Sequence, residues 1–210
     1  MNRILINFIG LCSVATLLSL MSGMPQALAA DVDDLVKPCA DCHGKDGASK
    51  EADVPIIAGA SKFYFSDAMV AYQNEERPCP EAEYETGDKK GDKTTMCKIA
   101  KDLDEDEIDK IAKYFSKKPF VRAKQKFDAA LAKKGASVHD DLCEKCHADN
   151  GSSPEDDSGI LAGQWTPYLR EVFKHYSNGE RPMVKKMKPK FKKLSDEDKE
   201  ALLNFYASFQ

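Results

Sequence analysis

Two five-residue units place two thiols and an imidazole at a fixed spacing: Cys39-Ala40-Asp41-Cys42-His43 and Cys143-Glu144-Lys145-Cys146-His147. Thiols one helical turn apart can form thioethers with the two vinyl groups of a haem, and the next histidine can then coordinate the iron. Paired cysteines with a histidine also suit zinc, but a tetrahedral site needs another ligand in each unit, and none recurs in register. A thioredoxin-like dithiol expects a βαβ setting that the sequence lacks. The spacing therefore predicts two covalently bound haem c groups, with His43 and His147 as axial ligands.

The units belong to an internal repeat. A shift of 104 carries Cys39, Cys42 and His43 onto Cys143, Cys146 and His147, and continues through Gly59 and Gly163, Tyr64 and Tyr168, Tyr72 and Tyr176, and Arg77-Pro78 and Arg181-Pro182. Beyond the Arg-Pro pair the frame becomes 91, aligning Met96 with Met187, Leu103 with Leu194 and Tyr114 with Phe205. The first copy thus holds thirteen extra residues between Cys79 and Met96, rich in Glu, Lys, Gly and Asp, which read as an inserted surface loop.

Met96 and Met187 are the methionines aligned in the second frame and are the expected sixth ligands, His43 with Met96 and His147 with Met187. Core packing is the commoner fate of methionine, and Met69, aligned with Phe173, fits it. Met183 is the rival on the second iron, although its counterpart is Cys79. Bis-histidine ligation is disfavoured because His139 and His175 lie only in the second copy, where they read as surface or packing residues. Cys79 and Cys97 bracket the insertion and are expected to form a disulfide; the alternative is that Cys97 ligates the iron as a thiolate.

The elements that must position these groups are helices. Leu103, Ile108, Ile111, Ala112 and Phe115 keep near-helical spacing, as do Leu194, Leu202, Leu203 and Tyr206, and acidic residues crowd the first turn of each run. Lys124 to Lys134 reads as a further amphipathic helix ended by Gly135. Neither copy shows a period-two strand run. The fold class expected is all-α, with tandem domains over 31–118 and 119–210.

Residues 1–30 read as a secretory signal: Arg3, an apolar run from Ile4 to Leu20, and Ala27-Leu28-Ala29 before a cleavage point near residue 29 or 30. Cys12 lies inside that run. No second apolar stretch of spanning length follows, so a periplasmic protein with no stable membrane insertion is expected. Removing Arg3 takes the net charge from -4 to -5. Residues 31–118 carry 14 basic and 21 acidic side chains, and residues 119–210 carry 16 and 14, so no dominant basic field points to nucleic acid. Lys185, Lys186, Lys188, Lys190, Lys192 and Lys193 surround Met187, either as a solvated face or as a surface that steers an acidic redox partner.

The second copy resembles the cytochrome subunits of flavocytochrome c sulfide dehydrogenases. The likeness is carried by Cys143 to His147, Ile160-Leu161-Ala162-Gly163-Gln164-Trp165-Thr166-Pro167-Tyr168-Leu169, Arg181-Pro182-Met183-Val184-Lys185-Lys186-Met187, Phe127 to Leu131, and the ending Phe205-Tyr206-Ala207-Ser208. In the first copy the insertion with Cys79 and Cys97 departs from that pattern. The resemblance implies two class I cytochrome c domains about a pseudo-twofold axis, their haems facing across the interface. It implies a separate FAD-containing subunit that oxidises sulfide and passes on electrons, and no catalytic residue in this chain.

Two other functions fit the same residues. A free two-haem carrier serving a terminal oxidase or reductase has the same repeat and ligands. A haem without its methionine, or with a cysteine ligand, gives a peroxidase-like or thiosulfate-oxidising site.

Overall fold

The structure is a computed structural model describing residues 31–210. The expected signal segment and Cys12 lie outside the described residues. The first half contains α1 (Val32–His43), a 3-10 turn over Lys45–Gly47, α2 (Lys62–Gln73), strands β1 (Ala82–Glu83) and β2 (Lys93–Thr94), α3 (Met96–Lys101) and α4 (Glu105–Ser116). The second contains α5 (Ala129–Leu142), the short turn α6 (Ala148–Gly151), α7 (Thr166–Asn178), α8 (Lys188–Phe191) and α9 (Asp196–Ala207).

Each half closes by packing its opening helix on its closing one, α1 on α4 and α5 on α9. The closing helices start where their sequences can satisfy the exposed first-turn amides. Asp104 caps α4 by accepting from Glu107 N at 2.8 Å while Glu107 accepts from Asp104 N at 2.9 Å, and Ser195 with Asp198 does the same for α9. Their apolar stripes then build two cores. Ile108, Ile111, Ala112 and Phe115 pack with Val36, Phe65 and Met69; Leu202, Leu203, Phe205 and Tyr206 pack with Leu169, Phe173 and Phe191. Each large apolar side chain so buried stabilises the fold by about 1.5–3 kcal/mol.

The repeat is written in the backbone as well. The Gly47 carbonyl accepts from Ile57 N and Ala58 N at 2.9 and 3.2 Å, and Gly151 accepts from Leu161 N and Ala162 N at 2.8 and 3.1 Å. Gly59 N donates to Phe115 O at 2.9 Å, and Gly163 N to Tyr206 O at 2.8 Å. Gly47 adopts φ 78°, and a Cβ there would meet the Phe115 ring at 2.8 Å, so both its backbone and its packing require glycine.

Three local expectations change. The helix expected over Lys124–Lys134 begins instead at Ala129, because the Asp128 carboxylate accepts from Ala130 N and Leu131 N at 2.8 and 2.9 Å. It runs through Gly135 to Leu142, since Gly135 serves close approach rather than termination: a Cβ there would lie 2.1 Å from the Ala201 carbonyl oxygen of α9. The insertion, expected as a plain loop, contains the antiparallel pair β1–β2, with Ala82 opposite Thr94 and Glu83 opposite Lys93. Tyr84 and Thr94, buried in it, hold it folded.

The two halves meet through specific polar contacts. Gln164 is buried and its amide bonds both backbone groups of Ile56, accepting from N at 3.0 Å and donating to O at 2.9 Å. Trp165 Nε1 donates to Ser49 O at 3.1 Å and Tyr168 N to Ala52 O at 3.2 Å. The connecting segment is anchored on the second half by Ala123 N donating to Gly163 O at 2.8 Å.

Candidate cofactor-attachment sites

The first unit lies on α1, which ends at His43, so its thiols are one helical turn apart. In the second unit α5 stops at Leu142, and Cys143 to His147 form a turn in which Cys146 N and His147 N both donate to Cys143 O at 3.0 Å. The helical expectation for both units therefore holds only for the first. The second is held by its own side chain: Glu144 accepts from Asp149 N at 3.0 Å and Asn150 N at 3.1 Å, and pairs with His139 Nε2 at 2.7 Å. Burial works to raise the Glu144 carboxyl, but His139 and these amides bring it below its ordinary value.

His139 is wholly buried, its Nδ1 2.9 Å from the Tyr206 hydroxyl. It is a packing residue that ties the second motif to α9, and not a surface one. Sequence reasoning missed this tie; the spacing between His139 and Glu144 was its only signal.

Both motif histidines are set up as neutral ligands. Burial lowers the His43 imidazole below its ordinary value, and its Nδ1 lies 2.8 Å from the Pro55 carbonyl. A proton on Nδ1, donated to that carbonyl, leaves the Nε2 lone pair for a metal. His147 is likewise lowered, by burial first, and the Gly159 backbone, which occupies the repeat position of Pro55, acts on it. Its buried Nδ1 has no hydrogen-bond partner within normal geometry among the described residues. His147 thus lacks the ring-fixing carbonyl contact that His43 Nδ1 makes.

The thiols do not behave as reactive thiolates. Burial pushes the Cys39 thiol up to about 11, and burial also raises Cys42 and Cys143. A thioredoxin-like nucleophile needs the opposite shift. Among the described residues no group of three or more His, Cys, Asp or Glu side chains is gathered as a metal cage. Cys79 and Cys97 are joined as a disulfide with a Cα–Cα distance of 5.8 Å, so Cys97 is not a free thiolate.

Met96 opens α3 and packs with Cys39 against the first core. Met187 caps α8 and packs with Cys143 against the second, as does its rival Met183. Met69 is buried in the first core.

A cluster that the repeat contained, but that sequence reasoning gave no role, lies where the halves meet. Arg77 is buried, and its neighbours are the tyrosines Tyr64, Tyr72, Tyr168 and Tyr176. Its guanidinium sits 4.6 Å over the Tyr72 ring, and Arg181 sits 4.8 Å over Tyr176, the same contact one repeat later. Burial alone would raise the Tyr64 phenol, yet Arg77 and Arg181 together bring it below its ordinary value. No carboxylate pairs with Arg77 among the described residues. A buried guanidinium facing hydroxyls and rings fits a group that brings its own carboxylates, as haem does.

The comparisons with known proteins agree with this chemistry. The family model described as cytochrome c oxidase, cbb3-type, subunit III matches residues 130–205. Cytochrome c-554(548) of Halomonas halodenitrificans is 30% identical over 88 residues, which span 42% of this chain and 93% of that protein. The chain belongs to the cytochrome c family.

This cytochrome has the two-domain fold of cytochrome c4. The reduced recombinant cytochrome c4 from Pseudomonas stutzeri superposes with a TM-score of 0.67 at 26% identity, over 87% of this chain and all of that one. Cytochrome c4 of Acidithiobacillus ferrooxidans gives 0.63 at 24% identity, over 81% and 98%. A thiosulfate dehydrogenase from Marichromatium purpuratum shares the fold at 0.67 and 21% identity, over 84% of this cytochrome but only 39% of that chain. The all-α, two-domain expectation is met, and the residues fit covalently bound haem c.

Proposed function

We propose that this cytochrome carries two haem c groups and passes electrons one at a time between redox proteins of the periplasm. Cys39 and Cys42 would hold one haem, with His43 and Met96 as its axial ligands; Cys143 and Cys146 would hold the other, with His147 and Met187. The domains run over 31–118 and 119–210, following a signal peptide cleaved near residue 29 or 30.

The observation that carries this reading is the duplicated histidine setting. Burial lowers both motif imidazoles below the ordinary value, and the backbone at the same repeat position, Pro55 or Gly159, acts on each; in His43 the contact is Nδ1 to the Pro55 carbonyl at 2.8 Å. A haem iron with both axial positions filled supplies reversible one-electron transfer without binding substrate. The chain's own contribution is to saturate and tune it. His43 and His147 would each supply a nitrogen ligand, and the thioethers of Met96 and Met187 would favour the reduced iron and raise its potential. Among the described residues no helix is long and apolar enough to cross a membrane.

Two partners fit. The segments Ile160 to Leu169 and Arg181 to Met187 favour an FAD-containing, sulfide-oxidising subunit as electron donor. The alternative is a free carrier serving a terminal oxidase or reductase, and the likeness to P. stutzeri cytochrome c4 over the whole of that chain supports it no more than the first.

The test is native purification followed by haem counting and addition of sulfide. Two haems per chain are expected, and one or none overturns the reading. A stoichiometric flavoprotein with sulfide-driven haem reduction selects the sulfide complex, whereas a lone chain oxidised by a terminal oxidase selects the carrier.

A further inference from the structure

We propose that Gln164 of the second domain is a positioning residue for His43 of the first, so that the potential of the haem held by Cys39 and Cys42 is set in part from the neighbouring domain. The inference rests on the two-haem reading above.

The link is a single peptide group. His43 Nδ1 lies 2.8 Å from the Pro55 carbonyl, and because a carbonyl can only accept, the ring proton sits on Nδ1. The N–H of that same peptide group belongs to Ile56, and it donates to Gln164 Oε1 at 3.0 Å. Gln164 Nε2 donates to the following carbonyl, Ile56 O, at 2.9 Å. The peptide planes on either side of the Ile56 Cα are thus clamped by one side chain from the other domain.

The clamp is itself fixed. Gln164 is 3% exposed, and its Oε1 also accepts from Trp165 N at 3.1 Å. With two N–H groups on one side and a carbonyl on the other, only one orientation of the amide satisfies all three. The Gln164 carbonyl accepts from Gln125 Nε2 at 2.7 Å, which holds its backbone. The segment ahead of Pro55 is tied to the same surface through Ser49 O and Ala52 O, which accept from Trp165 Nε1 and Tyr168 N.

His43 feels this clamp in two ways. The Pro55 carbonyl cannot tilt without breaking the bond at Ile56 N, so the direction it imposes on the imidazole is fixed. An acceptor on the N–H also pushes electron density toward the carbonyl oxygen of the same peptide, which strengthens its bond to Nδ1–H. A stronger bond there makes the imidazole a better donor to iron and favours the ferric state.

The second domain has no such device. Ala60 stands at the repeat position of Gln164, and its methyl can accept nothing. His147 Nδ1, the counterpart of the clamped nitrogen, is buried with no hydrogen-bond partner among the described residues. The influence therefore runs one way, from the second domain onto the first.

The test is Gln164→Met in the haem-loaded protein, which keeps the length of the side chain and removes the amide. Haems are counted first, and fewer than two per wild-type chain counts against the two-haem reading and not against this link. A redox titration followed by NMR, with each haem assigned through contacts to its own Cys-x-x-Cys-His unit, reads the two potentials separately. The reduction equilibrium of the first haem should shift about threefold toward ferrous iron, or about 30 mV at ~59 mV per tenfold, with the second haem unmoved. A junction that only loosened would admit water and favour ferric iron, so a fall in the first potential, an equal change in both, or no change overturns the proposal. A second measurement needs no variant to fold. In the ferrous wild type the Nδ1 proton of His43 should resonate downfield of that of His147, and equal or reversed shifts overturn the proposal as well.

Discussion

Gln164 holds Ile56 as a neighbouring strand would, with one amide closing on both the N–H and the C=O of a residue in the other domain, at 3.0 and 2.9 Å. Because Gln164 and Ile56 are both buried, removing the amide leaves two backbone groups without partners and without water. Gln164→Ala should therefore cost about 2–3 kcal/mol, more than an exposed hydrogen bond would. Denaturant unfolding of the haem-loaded protein checks this, and loss of a single cooperative transition would show the halves coming apart.

The approach of α5 to α9 at Gly135 leaves no space for a methyl group. Gly135→Ala must push the Ala201 backbone aside and should destabilise the fold by about 3 kcal/mol. Denaturation midpoints decide it; an unchanged midpoint would mean that the two helices separate at little cost.

The Cys79–Cys97 bond spans 18 residues. Replacing both cysteines by serine should cost about 3 kcal/mol. It should also make the segment around Tyr84 more susceptible to limited proteolysis than it is in the disulfide-bonded protein. Equal resistance in both would show that Tyr84 and Thr94 hold the hairpin unaided.

Replacing the methionines proposed as ligands should shift the potentials selectively. Met96→Ala and Met187→Ala should each lower one haem's potential by a fraction of the ~0.8 V range that axial ligands span, with high-spin character in the oxidised spectrum. Met183→Ala should leave both potentials in place. A redox titration that moved with Met183 and not with Met187 would transfer the ligand role.

The Asp198 carboxyl lies below its ordinary value through its hydrogen bonds to the Ser195 hydroxyl and backbone and to Lys134. A carboxyl depressed in the folded state stabilises it above the unfolded value of 3.8, and that contribution fades as pH falls through the lower folded value. The stability difference between the wild type and Asp198→Asn should thus be constant near neutral pH and shrink once the pH drops below 3.8. Stability curves measured across the acid range test it, and a difference independent of pH would refute it.

Much of this molecule was legible because its signals are local. The two Cys-x-x-Cys-His units, the helical stripes ending in Phe115 and Tyr206, and the acidic first turns of α4 and α9 each depend on residues a few positions apart. What was not legible depends on residues far apart. Gly135 looked like a helix stop because glycine commonly ends helices, and only the Ala201 carbonyl of another helix shows that it is a contact point. The insertion read as a solvated loop from its charges, while its attachment to Asp41 lies in backbone hydrogen bonds that no composition reveals. Arg77 and the four tyrosines were visible as a repeated pattern, but burial turned the pattern into a charge in need of an anion.

Ala60 occupies in the first repeat the place that Gln164 occupies in the second. The two halves share a repeat, and this difference makes their order matter at the junction. A chimaera of two leading halves would offer a methyl where an amide is needed, and one of two trailing halves would bring a second amide to a junction shaped for one. The ancestral symmetry survives in the backbone, but the modules are no longer interchangeable.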